Sequence, residues 1–146
     1  MPIRLQTRHH DPIDWPSLSA MVRFEMPGPH GAGRCWQCGR PHGKTVRVLA
    51  DGRWWDDEVG LWKDDHGHQA PWPDIVEACT QRRTKVVLAC CHRDHDPSNN
   101  TLGNLAAWCQ RHHLLHDREW QRQQFTITIL LRRARGDLFL GTYRRG

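Results

Sequence analysis

Apolar and polar positions change rhythm several times along this chain, and each change marks an element. "SLSAMVRFE" (17–25) spaces its apolar residues at helical intervals behind Ser17, a good N-cap, and the Pro/Gly-rich "MPGPHGAG" (26–33) stops it, so a short helix is expected. "TVRVLADGRWW" alternates about an Asp-Gly turn and predicts a β-hairpin over 45–55. The polar, Pro/Gly-containing stretch 56–73 reads as an insertion pinned by its tryptophans, and "DIVEACTQRR" (74–83) as one short helix. "KVVLACCH" (85–92) is a β-branched run closed by the turn chemistry of "RDHDPSNN", which predicts a strand, and "NLAAW" (104–108) is a short second strand. "CQRHHLLHDREWQRQQ" (109–124) has helical polarity and no breaker, predicting a helix from about residue 110. The tail, "FTITILLRRARGDLFLGTY", reads as two strands about an Arg-Gly turn, with continuation of the helix through 132 as the alternative. Residues 1–15 read as an irregular arm. No repeat or low-complexity segment interrupts this order, and the mixture of elements gives an α+β class.

Composition narrows the picture. At 146 residues the chain fits one domain. With 38% hydrophobic residues and a mean hydropathy of −0.76 its core is modest, and eight tryptophans compensate because each buries a large area with few rotatable bonds. Lys and Arg number 21 against 16 Asp and Glu, a net charge of +5 with a pI near 9.1, which suits a polyanionic partner. No apolar run approaches bilayer-spanning length and no secretory h-region opens the chain, so a cytoplasmic, reducing setting is expected. There the six cysteines are metal ligands or buried thiols rather than disulfides.

Spacing separates those cysteines. Cys35-x-x-Cys38, followed by Gly39, sets two thiolates on one side of a tight turn, and Cys109-x-x-His112 repeats the spacing at the start of a helix. Together Cys35, Cys38, Cys109 and His112 make a Cys₃His set, the donor complement of a closed structural Zn²⁺ site. A thioredoxin-like redox pair is a poorer reading, because no βαβ pattern surrounds Cys35. Cys79 and Cys90 read as small buried apolar residues.

A second constellation follows on the strands and helix of 85–124: His92 at a strand end, Asn104 twelve residues on, His113 nine further. The stretch "HRDHDPSNNTLGNLAAWCQRHH", together with "CWQCG", resembles the HNH endonuclease family of the zinc-knuckle-containing type over 35–43 and 85–118. The resemblance implies a small zinc-stapled ββα-metal core with extra β-hairpins and a short N-terminal helix. On that plan 1–33 is the N-terminal arm and helix, 35–43 the first zinc knuckle, 44–84 an insertion, 85–124 the core and 125–146 a basic C-terminal extension. It also implies a metal-dependent DNA endonuclease, with small bacterial or phage proteins as its closest kind. His92 would be the general base, Asn104 would orient it, and His113 would ligate a catalytic ion such as Mg²⁺, Mn²⁺ or another divalent metal.

Two positions depart from the family pattern. Cys91 stands where an Asp or His often binds the catalytic metal, so Asp94 is an alternative ligand, and His112 stands where the last zinc cysteine usually sits. Asp117, four residues after His113, shares its helix face and is a further candidate ligand. Arg82, Arg83, Arg132, Arg133, Arg135, Arg144 and Arg145 are candidates for contacting the phosphates of duplex DNA. Asn99 and Asn100 read as turn formers. His9, His10, His30, His42, His66 and His68 read as solvated surface. The competing function is a catalytically inactive zinc module of the same fold that binds nucleic acid or a protein partner, nicking being the default for a single active core.

Overall fold

The computed structural model describes residues 14–143, with side chains through residue 136. It forms two compact units, one ending at His113 and one beginning at Leu114. Helix α1 (Trp15–Ala20) runs on as a π-helical turn, Met21–Glu25. Its start is Asp14 with Pro16 in the first turn rather than Ser17 at the cap, since a proline loses nothing where the N–H has no helical partner. Strands β1 (Thr45–Val48), β2 (Trp54–Asp56), β3 (Leu61–Lys63) and β4 (Arg82–Lys85) form an antiparallel sheet in the order β3-β2-β1-β4. Strands β5 (Leu88–His92) and β6 (Leu105–Cys109) pair as a second sheet, from Leu88↔Cys109 to His92↔Leu105. Helix α3 (Gln110–Tyr143) follows β6 without a gap.

The hairpin about Asp51-Gly52 and the strand–loop–strand–helix order over 88–124 stand as expected; three elements differ. The stretch 56–73, expected as an insertion, carries a short strand, because β3 pairs with β2 through Trp55↔Trp62. The single helix over 74–83 is a one-and-a-half-turn α2 (Ile75–Cys79), held by a capping box in which Asp74 accepts from Glu77 N (2.7 Å) and Glu77 from Asp74 N (3.0 Å). After it the backbone turns extended, and 82–85 pair with β1 instead. Cys79 is correspondingly exposed, not buried.

The third difference is the tail, which is helical and not a pair of strands. Extending a helix already nucleated over 110–124 costs no new nucleus, and this outweighs the strand preference of alternating Thr and Ile. The hydroxyls of Thr126 and Thr128 donate to the carbonyls of Arg122 and Gln124 (3.0 and 2.8 Å), so the threonines are satisfied within the helix. Among the described residues no helix is long and apolar enough to cross a membrane. Arg144, Arg145, His9 and His10 lie outside the described residues.

The core is built where both sheets and α1 meet the Cys35–Cys38 turn: Val22, Trp54, Leu88 and Leu105 are sealed there with Cys35, Cys38 and Cys109. Each aliphatic chain so buried contributes on the order of 2 kcal/mol. A smaller cluster of Leu49, Trp62 and Ala70, backed by Trp55, closes the other face of the hairpin.

His42 belongs to this framework rather than to the solvated surface. Its Nδ1 accepts the Leu88 amide (3.0 Å) at the start of β5, and its ring meets Phe24 edge-on. Burial, then the charges of Arg23 and Lys85, lower its pKa below the ordinary 6.5, so folding favours the neutral ring. That stability is in place above the unfolded pKa and is lost as pH falls from there through the folded value. Between about pH 7 and about pH 5 the thermal midpoint should therefore fall further in the wild type than in His42→Gln, measured by circular dichroism. Acid effects elsewhere in the chain are common to both proteins and cancel in the comparison.

Candidate metal centre and the adjoining histidine loop

The first knuckle is shaped by its own backbone. Gly39 N donates to Cys35 O (2.8 Å) with Gly39 at φ +80°, a conformation that favours glycine, and this turn points both thiols inward. Trp36 N donates to Ala107 O (2.8 Å), which fixes the turn beside β6. Cys109 ends β6 and His112 lies in the first turn of α3, so the register of one strand–helix junction delivers the second pair.

The four side chains converge. Cys38 Sγ lies 3.8 Å from Cys109 Sγ, and His112 Nδ1 lies 3.3 Å from Cys109 Sγ and 3.8 Å from Cys35 Sγ. All four ligand atoms fall within 4.8 Å of one another, in a pocket where the cysteines are fully buried and His112 is 9% exposed. Packing thiols this closely binds protons unevenly. Hydrogen bonds with Cys109 and Cys38 hold the Cys35 thiol far below its ordinary range, while those with Cys109 and Cys35, and burial, push Cys38 far above it. Burial pulls His112 down, but its hydrogen bonds to Cys109 and Cys35 win and hold it at about 9. A divalent ion would displace the thiol protons on binding. The donor set, its closure and its burial fit a structural zinc ion.

Beside the centre, Asp65 faces the far side of the ligand histidine: its Oδ1 is 3.6 Å from His112 Nε2. Arg111 grips the same carboxylate twice, at 2.9 and 2.8 Å. Burial raises the Asp65 pKa, but the Arg111 guanidinium outweighs it and keeps the carboxyl ionised. Sequence reasoning missed Asp65 because nothing in its spacing ties it to residue 112.

The second constellation is held by loop 93–104. Asn104 clips this loop shut: its Nδ2 donates to Asp94 Oδ1 and to Asn99 O (both 2.8 Å), its Oδ1 accepts from Asp94 N (3.2 Å), and its backbone O accepts from Arg93 N (2.8 Å). Asn99 donates to the other Asp94 oxygen (2.8 Å). The hydrogen bonds of Asn99, of the Asp96 amide and of Asn104 hold Asp94 at about 2, so it is a fixed anion of the loop. His95 takes φ +60° at the centre of the turn, a conformation costing a non-glycine residue ~1 kcal/mol.

His92, last residue of β5, is half-buried. Its ring stacks on Trp15 at 5.2 Å and 12°, and its Nε2 meets Asn100 Oδ1 at 2.9 Å. An amide oxygen only accepts, so Nε2 is the donor of this contact and Nδ1 is the ring nitrogen it leaves over. The expected orienting role of Asn104 thus divides: Asn104 secures the loop, and Asn100, read from the sequence as a turn former, holds the imidazole. His113 lies one residue beyond the zinc set in the first turn of α3. Cys91 is buried with its Sγ donating to Ala89 O (3.4 Å), and Asp117 is buried further along α3. Among the described residues, Cys91, Asp94 and His113 do not gather into a ligand cluster as tight as the Cys₃His set.

The β1–β4 pair carries a basic face. In the β1–β4 pairing Arg47 stands directly opposite Arg83, with Lys85 opposite Thr45, and all are exposed. Like charges set opposite each other weaken a sheet, and no ion pair is made by Arg47, Arg83 or Lys85 among the described residues. Arg82 pairs with Val48 on the other face, and Arg132, Arg133 and Arg135 are exposed on α3. No protein-family model matches this chain, and comparisons with curated proteins and with solved structures find no match.

Proposed function

We propose that this protein is a zinc-stapled, metal-dependent DNA endonuclease of the HNH type, hydrolysing phosphodiester bonds one strand at a time. The observation that carries the reading is the run of β5, a loop clipped by Asn104, β6 and α3, with His92 at the end of the first strand and His113 in the first turn of the helix. Zinc held by Cys35, Cys38, Cys109 and His112 would keep that run in register. His92, with Nε2–H committed to Asn100, would take the attacking water's proton at Nδ1. Stacking on Trp15 would restrict the ring to rotation in its own plane. His113 would hold a divalent ion, which when bound polarises a phosphoryl oxygen and stabilises the leaving oxygen.

The test is a nicking assay on supercoiled plasmid with magnesium, manganese or nickel, against His92→Ala purified identically. A second reading, a binding module without catalysis, is favoured by one observation: the Cys91 thiol is buried and engaged with Ala89 O. A wild type inert with every ion yet binding duplex DNA would select it.

Under both readings the basic face of β1 and β4 would meet backbone phosphates. Each neutralised phosphate contributes about 0.9 to the slope of log affinity against log salt on duplex DNA. Replacing Arg47, Arg83 and Lys85 together by Gln should therefore lower that slope by about two to three, measured by fluorescence anisotropy over a salt series. An unchanged slope would move the contact elsewhere.

A further inference from the structure

The turn that follows β3 is built against the metal cluster. Asp64 closes it, its carboxylate accepting from His66 N (2.8 Å) and His68 N (3.0 Å) while its own N donates to His68 O (2.8 Å). The turn fits where only glycine fits. A Cβ on Gly67 would sit 3.1 Å from Cys38 O and 2.5 Å from His30 Cε1. A Cβ on Gly52 would sit 2.5 Å from Asp65 Oδ2 and 2.7 Å from an Arg111 nitrogen. Both glycines hold positive φ, at +79° and +94°, so conformation and space select the residue together.

These contacts deliver one carboxylate to one histidine. His112 has Nδ1 toward the thiols and Nε2 toward Asp65, the arrangement by which a carboxylate fixes the tautomer and raises the basicity of a metal-binding imidazole. The charges balance. Three thiolates with one divalent ion leave one negative charge, Asp65 adds another, and two guanidiniums stand beside them. Arg111 is paired to Asp65, and Arg40 is buried at 5% exposure with its guanidinium on Gly52 O (2.8 Å).

We propose that Asp65 is the outer-sphere partner of His112 in the metal centre, and that through it the β2–β3 arm is fastened to that centre. This rests on reading the Cys₃His set as a zinc site. On this reading Asp65, 3.6 Å from Nε2, favours the Nε2–H tautomer and leaves Nδ1 to ligate, while Arg111 grips the Asp65 carboxylate and Gly52 leaves room for it.

The experiment measures zinc affinity by competition with a chromophoric chelator, and the visible spectrum of the cobalt-loaded protein, in wild type and Asp65→Asn. The expected result is zinc affinity weaker by about 10- to 100-fold, with a shifted cobalt spectrum, in a protein that is folded at saturating zinc. The same substitution in a His112→Cys background should leave zinc affinity unchanged, because a thiolate ligand has no second nitrogen to orient. Equal affinity and an identical spectrum in Asp65→Asn would overturn the proposal, as would an equal loss in both backgrounds. If Asp65→Asn alone does not fold, folding in the His112→Cys background supports the proposal and failure there overturns it. A wild type that takes up neither zinc nor cobalt would instead refute the metal centre itself.

Discussion

Stripping zinc from the Cys35–Cys38–Cys109–His112 centre should unfold the unit that contains it, with loss of the near-ultraviolet tryptophan signal on adding excess chelator. Comparing magnitudes decides this outcome. Zinc bound to such a set is worth about 10–16 kcal/mol near neutral pH, whereas a domain's whole stability is about 5–15 kcal/mol. Here the three cysteine ligands are also members of the main core cluster, packed with Trp54, Leu88 and Leu105, so they cannot relax outward without opening it. Three thiols and an imidazole packed this closely in the core are also costly unless their polar atoms are engaged, which a bound ion would do. Cys38→Ser should behave as the stripped protein does. A thermal midpoint unchanged by chelator and by Cys38→Ser, together with no zinc on elemental analysis, would end the idea.

The second large effect is on catalysis. His92→Ala should reduce nicking by about 10²–10⁴, the usual scale for deleting a general acid–base group, while zinc content and DNA affinity stay as in the wild type. Asn100→Ala should cost less than His92→Ala and should also change the pH dependence of the remaining activity, because it frees the imidazole to exchange tautomers. Asn104→Ala acts differently: it cuts the clips to Asp94 and Asn99, so its defect should come with easier proteolysis in loop 93–104. His113→Ala should recover in part at high divalent-ion concentration, and His92→Ala should not. Full activity in His92→Ala would remove the nuclease reading even if the zinc result stood.

What the sequence disclosed follows physical range. Strand alternation, turn chemistry and the two ligand pairs are local patterns, and they located β1, β5, β6, the start of α3 and the Cys₃His cluster. The tail misled for a local reason as well: Thr-Ile alternation carries a strand preference, but its neighbour was already a helix. Asp65, His42 and Asn100 were hidden because their roles depend on partners 47, 46 and 8 residues away, and no offset rule links an aspartate in one hairpin to a histidine in a later helix. The binding of Leu88 by His42 is of the same kind: the residue looks like one more surface histidine until β5 is laid beside it.

The separation of the two ligand pairs also bears on how the chain is made. Cys38 precedes Cys109 by 71 residues, and Cys35 precedes His112 by 77. At a synthesis rate of about 5–20 residues per second, the first pair waits roughly 4 to 15 seconds for the second. During that interval the nascent chain carries two neighbouring thiols that have no ion-binding partners and no β6 to cover them. Until β6 and the start of α3 have been made, the Cys35 and Cys38 thiols are therefore open to oxidation in a way that they are not in the folded protein, where both are buried.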